Sequence, residues 1–107
     1  MRYANEVIVE ELRNDREFLK AHLANAILCL FNRQLPLACI MLRDIVNATI
    51  GFPGLAEKFG RTDKGKGLMQ MLTEKSNPTS ENLFRIIAEI MEHEGLSFSG
   101  ADIKDAA

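Results

Sequence analysis

Glycine punctuation between two short helical patterns is the feature that most limits what this chain can become. Residues 49–60 read Thr-Ile-Gly-Phe-Pro-Gly-Leu-Ala-Glu-Lys-Phe-Gly, followed by Arg-Thr-Asp-Lys and then Gly-Lys-Gly-Leu-Met-Gln-Met-Leu. Leu55, Ala56 and Phe59 make one side of a short helix apolar. Ala56 is small enough to let a second helix cross close to it. Gly60 takes a positive φ at no steric cost, so it can end the first helix and turn the chain sharply. Thr62 or Asp63 is then placed to accept a hydrogen bond from the first N–H groups of the next helix. Leu68, Met71 and Leu72 form that helix's buried side, and Lys64, Lys66, Gly67 and Gln70 are expected on the other, facing outward.

Two short helices joined by a tight turn, the second opened by polar and basic residues, is the pattern of a helix-turn-helix. There the first helix crosses the DNA backbone and the second lies in the major groove. Lysine near the start of such a helix donates to guanine O6 and N7, and glutamine pairs with adenine N6 and N7. Lys64, Lys66 and Gln70 are therefore the expected base readers, with Gly67 on the same surface. Arg61 and Thr62 in the turn, and Lys75, Ser76 and Asn77 in the loop beyond, are candidates for phosphate contacts. A solvated, charged helix face would carry similar residues, and it is the flanking pattern that favours DNA. Gly65 and Gly67 are expected to interrupt the second helix, each costing ~1 kcal/mol relative to alanine. Either the helix is mobile until DNA docks, or its first turn meets the phosphates through backbone N–H groups, or DNA binding is lost.

The rest of the chain supplies helices around this unit. A helix is expected over Tyr3–Arg13, with Val7, Ile8, Glu11 and Leu12 as its seam. Asn14 and Glu17 have the spacing of a capping box for the next helix, Asp15–Asn32. Leu19, Leu23, Ala26 and Leu30 form its stripe, widened by Phe18, Ile27 and Phe31; His22 lies beside it as a partly buried residue. Pro36 fits the first turn of a third helix running to Ala48, with Arg43, Asp44 and Asn47 pointing out. Thr79 is an N-cap for a last helix whose apolar face is Leu83, Ile86, Ile87, Ile90 and Met91, stopped by Gly95. Leu96–Ser99 is expected as an extended piece that pairs across a dimer, and the tail from Gly100 is expected to fray.

At 107 residues the chain is long enough for one modest core. A single domain over 1–107 is expected, with N-terminal helices in 1–48, the helix-turn-helix core in 49–95 and a tail in 96–107. No apolar run approaches the ~18 residues of a membrane span, and the N-terminus lacks a signal-peptide core, so a cytoplasmic protein away from membranes is expected. Net charge is −2, but five bases face three acids between Leu55 and Pro78. Cys29 and Cys39 sit in apolar patterns without metal spacing and read as reduced core residues. No Ser–His–Asp or Cys–His arrangement and no phosphate loop is present, so neither an enzyme nor a cofactor or metal site is expected.

The Leu-Ala-Glu-Lys-Phe-Gly and Asn-Pro-Thr-Ser-Glu-Asn-Leu runs resemble the lambda-repressor-like helix-turn-helix domains of bacterial regulators. Leu42-Arg43-Asp44-Ile45-Val46-Asn47-Ala48-Thr49-Ile50-Gly51-Phe52, Leu68-Met69-Gln70-Met71-Leu72 and Asn77-Pro78-Thr79 are similar to the phage-type antidote proteins of addiction modules, the HigA-like antitoxins. The resemblance covers roughly residues 5–96. It implies an all-α fold of about six helices, a lambda-repressor-like domain with an N-terminal helical extension. It also implies a homodimer that binds double-stranded operator DNA, neutralises a small basic toxin of the RelE/ParE type and represses its own operon. Glu6, Glu10, Glu11, Asp15 and Glu17 form an acidic face suited to such a toxin, or simply a solubilising one. A stand-alone prophage-type regulator, or an interaction module without DNA binding, stays open.

Overall fold

The computed structural model describes residues 4–99 and 102–106. Six helices follow one another: α1 (Ala4–Asn14), α2 (Arg16–Phe31), α3 (Leu35–Ala48), α4 (Gly51–Lys58), α5 (Lys66–Met71) and α6 (Ser80–Glu94). An antiparallel hairpin closes the chain, with β1 (Leu96–Ser99) paired to β2 (Asp102–Asp105) and Phe98 opposite Ile103. The all-α architecture of about six helices is as expected, and the hairpin is added to it.

Local chemistry sets the helix ends. The Asp15 carboxylate accepts from the Phe18 N–H at 3.1 Å, so α2 is capped one residue later than the Asn14–Glu17 spacing suggested. At the other end of α2, Arg33 takes φ 61°. The Gln34 N–H then reaches the Cys29 carbonyl at 2.8 Å and the Arg33 N–H the Leu30 carbonyl at 3.2 Å, a Schellman closure built without glycine. Thr79 caps α6 by accepting from the Asn82 N–H at 3.2 Å, and Gly95 ends it at φ 65°.

Helix α3 is the hub. It packs against α1, α2, α4 and α6, and Ala38, Cys39, Leu42, Ile45 and Val46 are fully buried on it. One apolar cluster runs from Leu12 through α2, α3 and α4 to Leu68, Leu72, the α6 stripe and Leu96. At about 1.5–3 kcal/mol for each large side chain, this burial is the main term opposing chain entropy.

Three side chains depart from the helical-wheel reading. Asp44 is 4% exposed rather than solvent-facing, because four other helices pack around α3. Burial pushes its carboxyl up, against a weaker downward pull from the Arg43 guanidinium. Val7 stays 46% exposed, leaving Ile8 and Leu12 as the α1 seam. Phe31, placed in the α2 stripe by its spacing, is 74% exposed. His22 is half-buried, its ring 5.4 Å from that of Phe18, with desolvation lowering its pKa. No single helix among the described residues is long and apolar enough to cross a membrane.

The C-terminal segment corrects two expectations. Leu96–Ser99 pairs within its own chain, and residues 102–106 are fastened rather than frayed. Gly100, Ala101 and Ala107 lie outside the described residues. Leu96 is buried and Ile103 packs on the core, so the hairpin has an apolar inner face. The Ala106 N–H donates to the Gly95 carbonyl at 2.7 Å. Arg16 at the start of α2 donates to the Asp105 carboxylate at 2.6 and 2.9 Å, to the Glu94 carboxylate at 2.8 Å and to the Glu94 carbonyl. Lys20, one turn on, reaches Asp105 at 3.0 Å.

Hydrogen bonds from Arg16, then Lys20, hold the Asp105 carboxyl below the usual carboxylate range. A depressed carboxyl stabilises the fold fully above its unfolded pKa, about 3.9, and that contribution is lost as pH falls through the lower folded value. Amide exchange in Leu96–Asp105 should therefore accelerate below pH about 4, once corrected for the intrinsic pH dependence of exchange. Arg16→Ala should produce the same acceleration at neutral pH, with α3 amides unchanged. Equal protection in Arg16→Ala and the parent would show that the Arg16 bonds are not what holds the hairpin.

Candidate nucleic-acid interface

Helix α4 and helix α5 are joined by the seven residues Phe59–Gly65. The first part of this turn is a Schellman closure. The Arg61 N–H donates to the Ala56 carbonyl at 2.9 Å and the Gly60 N–H to the Glu57 carbonyl at 3.1 Å, with Gly60 at φ 69°. Gly60 thus ends α4 as its position required. Arg85 of α6 fixes the same end from outside. Its guanidinium donates to the Lys58 carbonyl at 3.0 Å and lies 4.0 Å over the Phe59 ring.

The second part turns on Asp63. Its carboxylate accepts from the Gly65 N–H at 3.0 Å and the Gly67 N–H at 2.9 Å. Those bonds, Gly67's the stronger, hold the Asp63 carboxyl below its ordinary pKa. The Lys66 N–H closes a tight turn onto the Asp63 carbonyl at 3.2 Å, with Lys64 at φ 59° and Gly65 at φ 91° in its centre. Two successive left-handed residues are the backbone of a type I′ turn. Of the two residues proposed by sequence to cap the second helix, Asp63 does so; Thr62 is exposed.

Gly65 does not interrupt the second helix, as its position in the sequence suggested. It precedes the helix and seats it. A Cβ there would fall 2.4 Å from the Phe52 carbonyl oxygen and 2.7 Å from the Phe52 Cβ. Phe52 is a core residue of α4, 2% exposed, so the backbone of the turn rests directly on the core. Gly67 lies in the first turn of α5, half-buried, and a Cβ there would meet the Arg61 guanidinium at 2.6 Å. With both glycine N–H groups bound to Asp63, the route by which α5 meets phosphate through these amides is closed in this conformation.

The remaining candidates fall in two groups. Leu68 and Leu72 are fully buried and Met71 half-buried, so α5 is oriented by its apolar side. Lys66 and Gln70, one turn apart, are exposed on the opposite face, with Lys64, Arg61 and Thr62 exposed in the turn before them. Arg61 lies 3.7 Å from Asp63 and is 41% exposed. In the loop after α5, Lys75 and Asn77 are exposed. The Ser76 hydroxyl, a candidate for phosphate contact, is engaged within the chain. It bonds the Met71 carbonyl, lies 3.0 Å from the Thr73 carbonyl and accepts from the Thr73 N–H at 3.4 Å, closing the end of α5.

Sequence reasoning missed two participants. Met69 is 36% exposed beside Lys66 and Gln70, an apolar element on a polar face; its three-residue spacing from Lys66 was the available signal. Arg85 was not singled out, because nothing local to α6 marks it as the clamp on α4. Among the described residues, no group of three or more His, Cys, Asp or Glu side chains is placed to hold a metal ion.

Gly65→Ala should cost about 2–4 kcal/mol in urea unfolding, from the overlap with Phe52 and the left-handed backbone together. Gly60→Ala, which meets nothing within 4 Å, should cost only about 1–2 kcal/mol for its backbone conformation. Equal losses would mean that the contact with Phe52 relaxes freely. No protein-family model, no curated protein and no solved structure matches this chain.

Proposed function

We propose that this chain is a DNA-binding antitoxin that represses its own operon and neutralises a small basic toxin of the RelE/ParE type. The observation that carries the DNA half is the exposed face of α5 and its turn. Lys66 and Gln70, with Lys64 in the turn before them, present donors on a helix whose opposite side is anchored in the core. Arg61 and Thr62 before the helix, and Lys75 and Asn77 after it, flank that face as phosphate partners. The pair α4 and α5 acts as a helix-turn-helix of the lambda-repressor-like kind, with α5 in the major groove. Lys66 and Gln70 read base edges, and Met69 meets a thymine methyl group. Two copies on a two-fold operator place their α5 helices one turn apart, about 34 Å.

The antitoxin half rests on the resemblance of residues 42–52, 68–72 and 77–79 to phage-type antidote proteins. The acidic outer surface suits it. Glu6, Glu10, Glu11, Asp15 and Glu17 are all exposed, although Asp15 is engaged in capping α2 and Glu17 pairs with Lys20 at 2.9 Å. A face of this sign steers a basic partner toward it.

The test is binding to the DNA upstream of the chain's own gene at two salt concentrations. Specific binding that weakens steeply between 50 and 200 mM salt is expected, on the order of 10³-fold for six phosphate contacts. The triple variant Lys64→Ala, Lys66→Ala, Gln70→Ala should bind at least 100-fold more weakly, as expected when base contacts worth about 1–3 kcal/mol each are lost, and keep its helical circular dichroism. Unchanged binding by the triple variant would overturn the α5 assignment. The toxin half is tested by co-expression with the neighbouring gene, where a stable complex with a small basic protein is expected.

A further inference from the structure

At the end of the molecule where α2 finishes and α6 begins, an open groove of 340 Å³ has Ile27, Leu30 and Leu83 in its walls and Phe31 and Phe84 at its rim. No charged side chain lines it. The two rim rings are 74% and 59% exposed, and Leu28, one turn before Phe31, is 55% exposed. Scattered apolar residues on a surface are ordinary, but two phenylalanines at the rim of one apolar groove, with Leu28 one turn from Phe31 on the same helix, form a patch.

We infer that this patch is the interface through which two copies of the chain pair about a two-fold axis. Three observations select a second copy as the occupant. The first is shape: the patch carries both a projecting aromatic ring and a hole, and a cavity of about 150 Å³ already accepts a benzene ring. A surface holding knob and hole side by side is complementary to itself, as an isologous contact requires. The second is area. With an aromatic side chain covering about 150–250 Å², the exposed parts of Phe31, Phe84 and Leu28 present about 350 Å² of apolar surface. An interface of standard size, about 800 Å² per partner, would bury this patch at its centre with the polar surroundings as its rim.

The third is position. Pro78 lines the groove, seven residues beyond the last residue of α5. Seven residues span at most about 25 Å, and two reading helices one turn of DNA apart need each to lie about 17 Å from the axis. A two-fold axis through the groove is therefore within reach of that spacing. The inference deepens the proposed function by naming the surface that makes the DNA-binding dimer, and it rests on that reading only for this third observation.

Sedimentation velocity on the intact chain tests it without DNA. The parent should be a dimer, and Phe31→Glu and Phe84→Glu should each weaken dimerisation by about 30-fold or more, as for loss of a buried aromatic anchor. Both residues are exposed in the single chain, so helical circular dichroism should not change. The sequence contains no tryptophan, which makes Phe84→Trp a sole reporter. Its emission should shift to the blue over the concentration range in which sedimentation records dimer formation. A parent that stays monomeric to about 100 µM overturns the inference. So does a dimer that survives both glutamates together, or a tryptophan whose emission is independent of concentration. Any of these outcomes leaves the DNA reading of α5 standing, whereas failure of operator binding by a dimer would remove that reading and keep the interface.

Discussion

The placement of α5 depends on one contact, the backbone of Gly65 against Phe52. A helix of six residues has too few internal hydrogen bonds to hold itself in water, so its orientation must come from what it rests on. Phe52 is buried in the core, and Gly65 brings the chain to it without a side chain between. Leu68 and Leu72 then insert into the same core, and the direction in which Lys66 and Gln70 face follows. Asp63 completes the arrangement by accepting from the N–H of Gly65 itself and from that of Gly67 two residues on.

This arrangement bears on how α5 would engage DNA. The N-terminus of a helix attracts anions, but here Asp63 already occupies the amides of the first turn and places a carboxylate beside them. Affinity would have to come from the lysine and arginine side chains around the turn. With a net charge of −2 on the whole chain, the local distribution of those bases matters more than any long-range field. Lys64 stands in the centre of the tight turn in a left-handed conformation and is exposed there.

Helix α2 links two features that lie at its opposite ends. At its start, Arg16 and Lys20 bind Asp105 and fasten the C-terminal hairpin. At its finish, Phe31 stands at the rim of an apolar groove shared with α6. Arg33 in a left-handed conformation ends the helix between that rim and α3. The exposed surface of this small protein is thus divided by its helices. The turn and outer face of α5 carry donors, the α2–α6 end carries aromatic rings, and the outer faces of α1 and the start of α2 carry acids.

Sequence periodicity by itself determined the helices, because an amphipathic stripe must be buried whichever partner covers it. The stripes of α2 and α6 were legible in that way, and the stops at Gly60 and Gly95 and Asp63 or Thr62 as the cap before α5 were legible from residue type. What periodicity does not contain is the identity of the covering element. Asp44 reads as outward on its own helix and is buried because four other helices pack around α3. Phe31 reads as core and is exposed, at the rim of the groove between α2 and α6. Gly65 reads as a helix breaker and is instead the residue that seats the helix, since its requirement comes from Phe52, thirteen positions earlier in the chain. The hairpin was least legible, because its short strands are held by Arg16 and Lys20 from the far end of the sequence. Local patterns fix which face of an element seeks burial; only the packed structure decides which faces find a partner, because that depends on groups brought together across the chain.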